Sequence, residues 1–151
     1  MVDEEGVLDD KDFQAITTVI SAIGSNDQQL IDWFESFIKK YYADFHTILK
    51  RYGSIQIRNV ATIAGNIATA SPIGDTLPLL LSLDASVVLQ NLNKITVLPL
   101  KNFFIGYRKT KLKKGQFINS IRIPIFKKNI FKAYKISKRI DDDISSVCAS
   151  F

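Results

Sequence analysis

Residues suited to ligand binding are concentrated between positions 62 and 75. Small and hydroxylated residues dominate this run, which contains Gly65, Asn66, Thr69 and Ser71. A phosphate group or a flat ring system needs closely approaching backbone amides, small side chains and uncharged hydrogen-bond donors. The spacing matches neither a Walker loop nor a Gly-x-Gly-x-x-Gly fingerprint. Spacing alone therefore favours an ordinary loop whose Ser, Thr and Gly residues serve turns and caps.

Few other residues are suited to metal binding or catalysis. The carboxylate of Asp75 would repel a phosphate, so a sugar-type hydroxyl is the better ligand for it. Cys148 is the only cysteine and His46 the only histidine. A transition-metal site or a Cys/His nucleophile would need unusual ligands or help from another chain. We therefore expect no metal site and no catalytic residue, and a structural role for Cys148 and His46.

Charge is unevenly distributed along the chain. Residues 1–12 contain six acidic residues, whereas residues 94–140 contain fourteen Lys or Arg and no Asp or Glu. A solvated face is the favoured interpretation of the basic stretch. The functional alternative is a positive surface that attracts a phosphate-bearing ligand or an acidic partner through long-range electrostatics. Nucleic acid is a weaker form of that alternative, and we expect no nucleic-acid partner.

The composition is that of a globular domain. A chain of 151 residues with 46% hydrophobic and 23% charged residues falls in the size range of one domain and can bury a core. No apolar run is long enough to cross a bilayer. The acidic start lacks the basic and apolar regions of a secretory signal. These features predict a cytoplasmic protein with no membrane partner.

The first half of the chain shows helical spacing. Apolar residues predict helices over residues 27–40 and 45–52, the second ended by Gly53 in a left-handed conformation. Residues 54–75 are expected to form a loop, and its regularly placed isoleucines are expected to anchor it to the core: Ile63, Ile67 and Ile73. Asp75 is expected to cap a helix that runs through Leu83, with Pro78 in its first turn.

Strand-like runs follow in the second half, at residues 86–90, 95–98, 117–123, 131–137 and 144–151. Helices first and strands later predict an α+β fold. Asp141, Asp142 and Asp143 are predicted to form the turn that joins the last two strands. Residues 127–129 are predicted to mark a boundary between two subdomains, and the ends of the chain look cut.

Residues 56–75, QIRNVATIAGNIATASPIGD, resemble the second flavin-contacting segment of xanthine dehydrogenases, aldehyde oxidases and carbon monoxide dehydrogenase medium subunits. The resemblance covers roughly the last two-thirds of the chain and continues through residues 78–80 (PLL), 103–109 (FFIGYRK), 120–124 (SIRIP) and 134–144 (YKISKRIDDDI). It implies a PCMH-type FAD-binding subdomain, antiparallel or mixed sheet with helices, over residues 1–125. Residues 130–151 would begin a truncated second subdomain, similar to the C-terminal subdomain of the carbon monoxide dehydrogenase flavoprotein.

The resemblance also implies which residues surround FAD. The flavin-contacting segment would contribute Ala61, Thr62, Gly65, Asn66, Ala68, Thr69 and Asp75. Ile118 and Lys135 would complete the pocket from later strands, although an ordinary solvated cation is the alternative for Lys135. Tyr52 would set an aromatic ring against the isoalloxazine, and a core residue on a helix face is its equally weighted alternative. The acidic turn at residues 141–143 would lie near the flavin or would simply be solvated.

By the same resemblance, the chain is the electron-transfer module of a xanthine dehydrogenase-type molybdenum hydroxylase, an oxidoreductase component. FAD would take electrons from iron-sulfur clusters and pass them to NAD or another acceptor. The partners would be the iron-sulfur domain and the molybdopterin-binding subunit of the same enzyme. The family's first, glycine-rich flavin loop is not found near the N-terminus. The alternative is therefore a truncated, noncatalytic remnant or partner-binding module without independent flavin binding.

Overall fold

Two helices open the described part of the chain. The computed structural model describes residues 28–54, 56–57, 61–92, 94–125, 130–140 and 142–151. Helix α1 is Gln28–Tyr41 and helix α2 is Ala43–Lys50, which confirms both predicted helices. The C-terminal end of α1 differs from the prediction by one residue and each end of α2 by two. Gly53 follows with φ +61°, and a Cβ built there would lie 2.9 Å from Ile57 Cγ2. The predicted left-handed glycine is therefore confirmed.

The loop expected over residues 54–75 contains a helix. Helix α3 is Ile63–Ala68, and a helix of this length is not stable in isolation. It is held by Ile63 and Ile67, one turn apart, which are 4% and 0% exposed. Burial of each such side chain contributes about 1.5–3 kcal/mol. Ile73 is 52% exposed, so the prediction that it anchors the segment is wrong.

Helix α4, Thr76–Ser82, follows directly. Pro78 lies in its first turn as predicted, where the missing N–H leaves no hydrogen bond unmade. The helix ends one residue before the predicted Leu83. Asp75 occupies the N-cap position, but its side chain makes no capping hydrogen bond. The predicted cap is wrong because the carboxylate bonds residues near the C-terminus instead.

Strands and one more short helix make up the middle of the chain. Strand β1, Ser86–Asn91, and strand β2, Lys94–Pro99, lead into helix α5, Leu100–Phe103. Next come a small hairpin of β3, Phe104–Gly106, with β4, Lys109–Thr110, and then strand β5, Phe117–Arg122. Strands β1, β2 and β5 were predicted from the sequence, whereas α5, β3 and β4 were not.

Three of these strands form one antiparallel sheet in the order β2-β1-β5. Ser86 pairs with Pro99 on one side and with Arg122 on the other. The register between β1 and β5 shifts between Val88 and Leu89, which is the local signature of a bulge.

A separate hairpin ends the chain. Strand β6, Ala133–Ile136, pairs antiparallel with strand β7, Val147–Ser150. Both strands were predicted, with longer bounds than the structure has. The predicted boundary at residues 127–129 and the first residue of the acidic turn, Asp141, lie outside the described residues.

One cluster of buried side chains joins these elements. It draws on helices α1 to α5, on the three-stranded sheet and on the hairpin, through residues such as Ile38, Phe45, Ile67, Leu79, Phe103, Val87, Ile121 and Ala133. The mixture of helices with antiparallel strands confirms the predicted α+β class. Within the described ranges, no helix has the length and apolar character needed to span a bilayer.

Candidate functional site

Helix α3 is fixed at both ends by hydroxyl side chains. Thr62 is its N-cap residue, and the Thr62 Oγ1 accepts a hydrogen bond of 2.9 Å from the N–H of Gly65. At the other end, the Thr69 hydroxyl donates to the carbonyl of Asn66 at 2.9 Å. With Ile63 and Ile67 buried against the core, helix α3 packs on strand β5. These contacts determine which side of the helix faces solvent.

The solvent side of α3 carries Thr62, Gly65 and Thr69, which are all exposed. Their spacing of three and four residues places them on one face. We call these three residues the α3 face. A Cβ built on Gly65 would lie 3.0 Å from Thr62 Oγ1, so glycine leaves the backbone open where a side chain would crowd the cap. The α3 face therefore combines two hydroxyl groups with uncovered backbone.

A small cleft adjoins the α3 face. It has a volume of about 30 Å³, which is far too small to hold a whole cofactor. We call it the Tyr52 cleft, and its lining residues are Leu49, Tyr52, Ala61, Thr62, Ile63, Asn66 and Thr76.

The polar groups of the Tyr52 cleft form a connected network. The Asn66 Nδ2 donates to the Tyr52 hydroxyl at 2.9 Å, and the Thr76 hydroxyl donates to Asn66 Oδ1 at 2.5 Å. Both ends of the Asn66 amide are thus engaged, and its orientation is fixed. A Cβ built on Gly74 would lie 3.3 Å from Asn66 Oδ1, so glycine leaves room for this amide. Burial, and secondly the negative charge of Asp75, raises the pKa of the Tyr52 phenol, which stays neutral.

Asp75 and Lys135 form a buried ion pair behind the cleft. The Lys135 Nζ donates to Asp75 Oδ2, and the side chains are only 3% and 7% exposed, respectively. The hydroxyl of Ser145 donates to the other carboxylate oxygen, Asp75 Oδ1, at 2.5 Å. We call Asp75, Lys135 and Ser145 the Asp75 clamp. Lys135 is therefore not the solvated cation that was its alternative interpretation.

Further contacts hold the hairpin to the helices around the clamp. The Ser150 hydroxyl donates to the carbonyl of Pro78 at 2.7 Å. The Arg51 guanidinium donates to the carbonyl of Lys135 and to the hydroxyl of Ser137, each at 3.1 Å. The hairpin is thus bonded to the residues that follow α2 and to helix α4.

Cys148 also contacts the clamp. Its thiol donates to the backbone carbonyl of Asp75 at 3.5 Å. Burial, and secondly the nearby Asp75 carboxylate, raises the pKa of the Cys148 thiol to about 11. The thiol is therefore protonated at neutral pH, as a structural role requires.

Asp142 and Asp143 stabilise the turn in which they lie. Asp143 accepts a 2.8 Å hydrogen bond from the backbone N–H of Arg139, and this bond is the main reason that the pKa of Asp143 is lowered. Asp142 is exposed and has φ +51°, a conformation that Asp tolerates in turns.

The sequence-predicted residues fall into three groups. Tyr52, Ala61, Thr62 and Asn66 line the Tyr52 cleft, and Gly65 and Thr69 extend it along the α3 face, with Ala68 half-buried at the helix end. Asp75 and Lys135 are paired with each other in the clamp. Ile118 is half-buried on β5 and packs against the core, on the strand beneath α3. Tyr52 lies beyond the end of α2 and outside the buried cluster, so it is not a core residue on a helix face.

Sequence reasoning missed several residues at this site. Leu49, Ile63 and Thr76 line the cleft, and Ser145 bonds Asp75. The position of Thr76 beside Asp75 was a usable signal. Ser145 lies seventy positions from its partner in the chain, and nothing in its local pattern indicates the contact.

The chain is similar to proteins of known family. The sequence profile described as the FAD binding domain in molybdopterin dehydrogenase matches residues 20–126. Nicotinate hydroxylase hnxS of Emericella nidulans is 47% identical over 106 residues, which are 68% of this chain and 8% of that protein. Xanthine dehydrogenase of the same organism is 42% identical over 124 residues, or 81% of this chain and 9% of that protein.

Solved structures show the same fold. A carbon monoxide dehydrogenase chain from Oligotropha carboxidovorans superposes with a TM-score of 0.69 at 22% identity, over 88% of this chain and 43% of that chain. Quinoline 2-oxidoreductase from Pseudomonas putida 86 gives 0.68 at 20% identity, over 76% of this chain and 39% of that chain. The chain thus spans less than a tenth of the curated relatives and less than half of the solved chains it matches.

Proposed function

Because the chain belongs to the family of FAD-binding domains in molybdopterin dehydrogenases, we propose that FAD binds along the α3 face with one edge in the Tyr52 cleft. The observation that carries this proposal is the α3 face itself, in which Thr62, Gly65 and Thr69 stand exposed beside the cleft. The resident flavin supplies the redox chemistry when bound, and the protein binds, orients and tunes it.

The chemistry of the α3 face fits such a cofactor. Its side chains are uncharged, so they do not repel phosphate groups. The Thr62 hydroxyl accepts from Gly65 and can donate its own proton, whereas the Thr69 hydroxyl donates to Asn66 and can accept a hydrogen bond. Gly65 leaves the backbone accessible. The ring of Tyr52 offers a flat amphipathic surface with its hydroxyl held by Asn66. These features favour a large, flat, phosphate-bearing ligand over a small cation.

The proposed cofactor residues act in two ways. Tyr52, Ala61, Thr62, Gly65, Asn66, Ala68 and Thr69 are proposed to lie along the cofactor. Asp75 and Lys135 are proposed to support them, because each satisfies the charge of the other away from solvent. Ile118 is proposed to support α3 from strand β5.

We also propose a wider activity, which rests on the relatives. We propose that the chain receives electrons from iron-sulfur clusters and passes them through FAD to NAD or another acceptor. The iron-sulfur domain and the molybdopterin-binding subunit are the proposed partners, and the cytoplasm is the proposed location. This proposal is supported by the relatives' names, xanthine dehydrogenase and nicotinate hydroxylase, and by the small fraction of their length that this chain spans.

Equilibrium titration with FAD tests the binding proposal. Flavin fluorescence is followed as purified chain is added, for the wild type, for Thr69→Ala on the α3 face and for Thr96→Ala as a matched control on exposed strand β2. We expect saturable binding by the wild type and the control, and a dissociation constant raised about tenfold in Thr69→Ala, the effect of roughly one lost hydrogen bond. No binding by the wild type would favour the noncatalytic alternative.

A further inference from the structure

The C-terminal hairpin turns a charged residue inward and apolar residues outward. In strand β6, Ala133 and Lys135 are buried, whereas Tyr134 and Ile136 are 54% and 58% exposed. A buried ammonium group requires a partner, because desolvation without one is costly. Asp75 is that partner, and the pairing determines how the hairpin lies on the rest of the chain.

Three residues of the hairpin region converge on Asp75. Lys135 and Ser145 each donate to one carboxylate oxygen, and the Cys148 thiol donates to the backbone carbonyl. The side chain and the backbone of Asp75 are therefore both fixed from the same direction. Because Thr76 is the next residue in the chain, a change in either contact would alter the position of Thr76.

Thr76 carries this constraint into the Tyr52 cleft. Its hydroxyl donates to Asn66 Oδ1 at 2.5 Å, and Asn66 in turn donates to the Tyr52 hydroxyl at 2.9 Å. All three side chains line the cleft. A continuous series of bonds thus runs from the hairpin, through one peptide linkage, to the aromatic ring proposed to meet the flavin.

We infer that Ser145 is a positioning residue of the flavin site, an inference that rests on the proposed function. Lys135 neutralises Asp75, but a single contact leaves the carboxylate free to turn about that bond. The hydroxyl of Ser145 holds the second oxygen and fixes the plane of the carboxylate. The hairpin thereby helps to position the site, although it contributes no exposed residue to the α3 face.

The test compares Ser145→Ala with Ser146→Ala and Ser145→Thr in the full chain. Ser146 is the adjacent, exposed serine and serves as the matched control, while threonine keeps the donor hydroxyl. Three quantities are measured for each variant: the FAD dissociation constant, the melting temperature without FAD, and the amide exchange rate of residues 61–76 without FAD.

We expect Ser145→Ala to raise the FAD dissociation constant about tenfold, the effect of one lost hydrogen bond to a charged group. Amide exchange over residues 61–76 should accelerate while the melting temperature falls by only a few degrees. Ser146→Ala should match the wild type, and Ser145→Thr should restore FAD affinity to within about twofold. This rescue separates positioning from a general loss of stability.

Two results would overturn the inference. Equal FAD affinity and equal amide exchange in Ser145→Ala and the wild type would refute the role of Ser145 and leave the proposed function standing. Absence of FAD binding by the wild type would refute the proposed function and this inference with it.

Discussion

The α3 face and the Asp75 clamp differ in their exposure to solvent. The α3 face presents Thr62, Gly65 and Thr69 to solvent, whereas Asp75 and Lys135 are buried and bond each other. Exposed hydroxyls and open backbone are available to a ligand. A buried ion pair is already satisfied, and it serves the site by holding other residues in place. Under the proposed function, the residues that the family resemblance places around FAD therefore divide into proposed contacts and proposed supports.

The largest expected effect on stability comes from breaking the buried ion pair between Asp75 and Lys135. Asp75→Asn leaves the Lys135 ammonium buried without its counter-charge, so we expect a loss of about 3–5 kcal/mol in the free energy of unfolding. Urea denaturation measures it. The double variant Asp75→Asn with Lys135→Met should recover most of the loss, since the buried charge is then gone.

An exposed ion pair supplies the control for this prediction. Asp84 and Lys101 lie 3.5 Å apart with side chains that are 66% and 68% exposed. Asp84→Asn should cost less than about 1 kcal/mol. Equal losses in the two single variants would show that the Asp75 pair is no more important to stability than a surface pair.

A smaller effect is expected at the junction of the α3 face and the Asp75 clamp. Asn66→Ala removes the amide that joins Tyr52 to Thr76 and leaves two hydroxyls without that partner. We expect a loss of about 1–3 kcal/mol in the free energy of unfolding, together with weaker FAD binding. Asn102→Ala, at an exposed position of helix α5, is the matched control. If Asn66→Ala and Asn102→Ala had equal free energies of unfolding, the hydrogen bonds of Asn66 would not connect the α3 face to the Asp75 clamp.

Within the α3 face, the cap is the most sensitive point. Thr62→Ala removes the acceptor for the Gly65 N–H, and loss of such an N-cap costs about 1 kcal/mol. Thr62→Ser keeps the acceptor and should be close to the wild type in thermal unfolding. A Thr62→Ser variant as unstable as Thr62→Ala would mean that the methyl group, not the cap, stabilises the helix.

The last prediction concerns stability above neutral pH. The folded-state pKa of Cys148 is raised from 9.0 to about 11, so the unfolded chain loses this proton first as the pH rises. The stability contributed by the protonated thiol is fully present below pH 9 and is lost between pH 9 and 11. Urea midpoints should fall over that window, and less steeply in Cys148→Ala. Identical slopes would contradict burial of the thiol beside Asp75.

Periodicity predicted the elements that bury a regular face. Helices α1 and α2 and strands β1, β2, β5, β6 and β7 all follow from apolar spacing. Helix α3 was missed because its small residues suggest a loop, although the Thr62 cap and the spacing of Ile63 and Ile67 were present in the sequence. Helix α5 and the β3–β4 hairpin are too short for a periodic signal.

Residue types and spacing indicated only the exposed side of the candidate site, whereas Asp75 and Lys135 entered it through the family resemblance. Small and hydroxylated residues in one run drew attention to Thr62, Gly65 and Thr69. In strand β6, alternation suggests that Tyr134 and Ile136 face inward, yet they are exposed and Lys135 is buried. The Asp75 carboxylate reverses the pattern by supplying a counter-charge sixty positions away in the chain. Contacts of this kind depend on tertiary packing, which local spacing does not encode.

Gly65→Ala tests the division between contacts and supports most directly. Alanine is the better helix former by up to about 1 kcal/mol, and its Cβ would stand 3.0 Å from Thr62 Oγ1 on the exposed face. We predict a free energy of unfolding within about 1 kcal/mol of the wild type, because the gain in helix propensity offsets crowding of the Thr62 cap. The FAD dissociation constant should rise about tenfold or more. Unchanged FAD affinity in Gly65→Ala, or no saturable FAD binding by the wild type, would contradict the account.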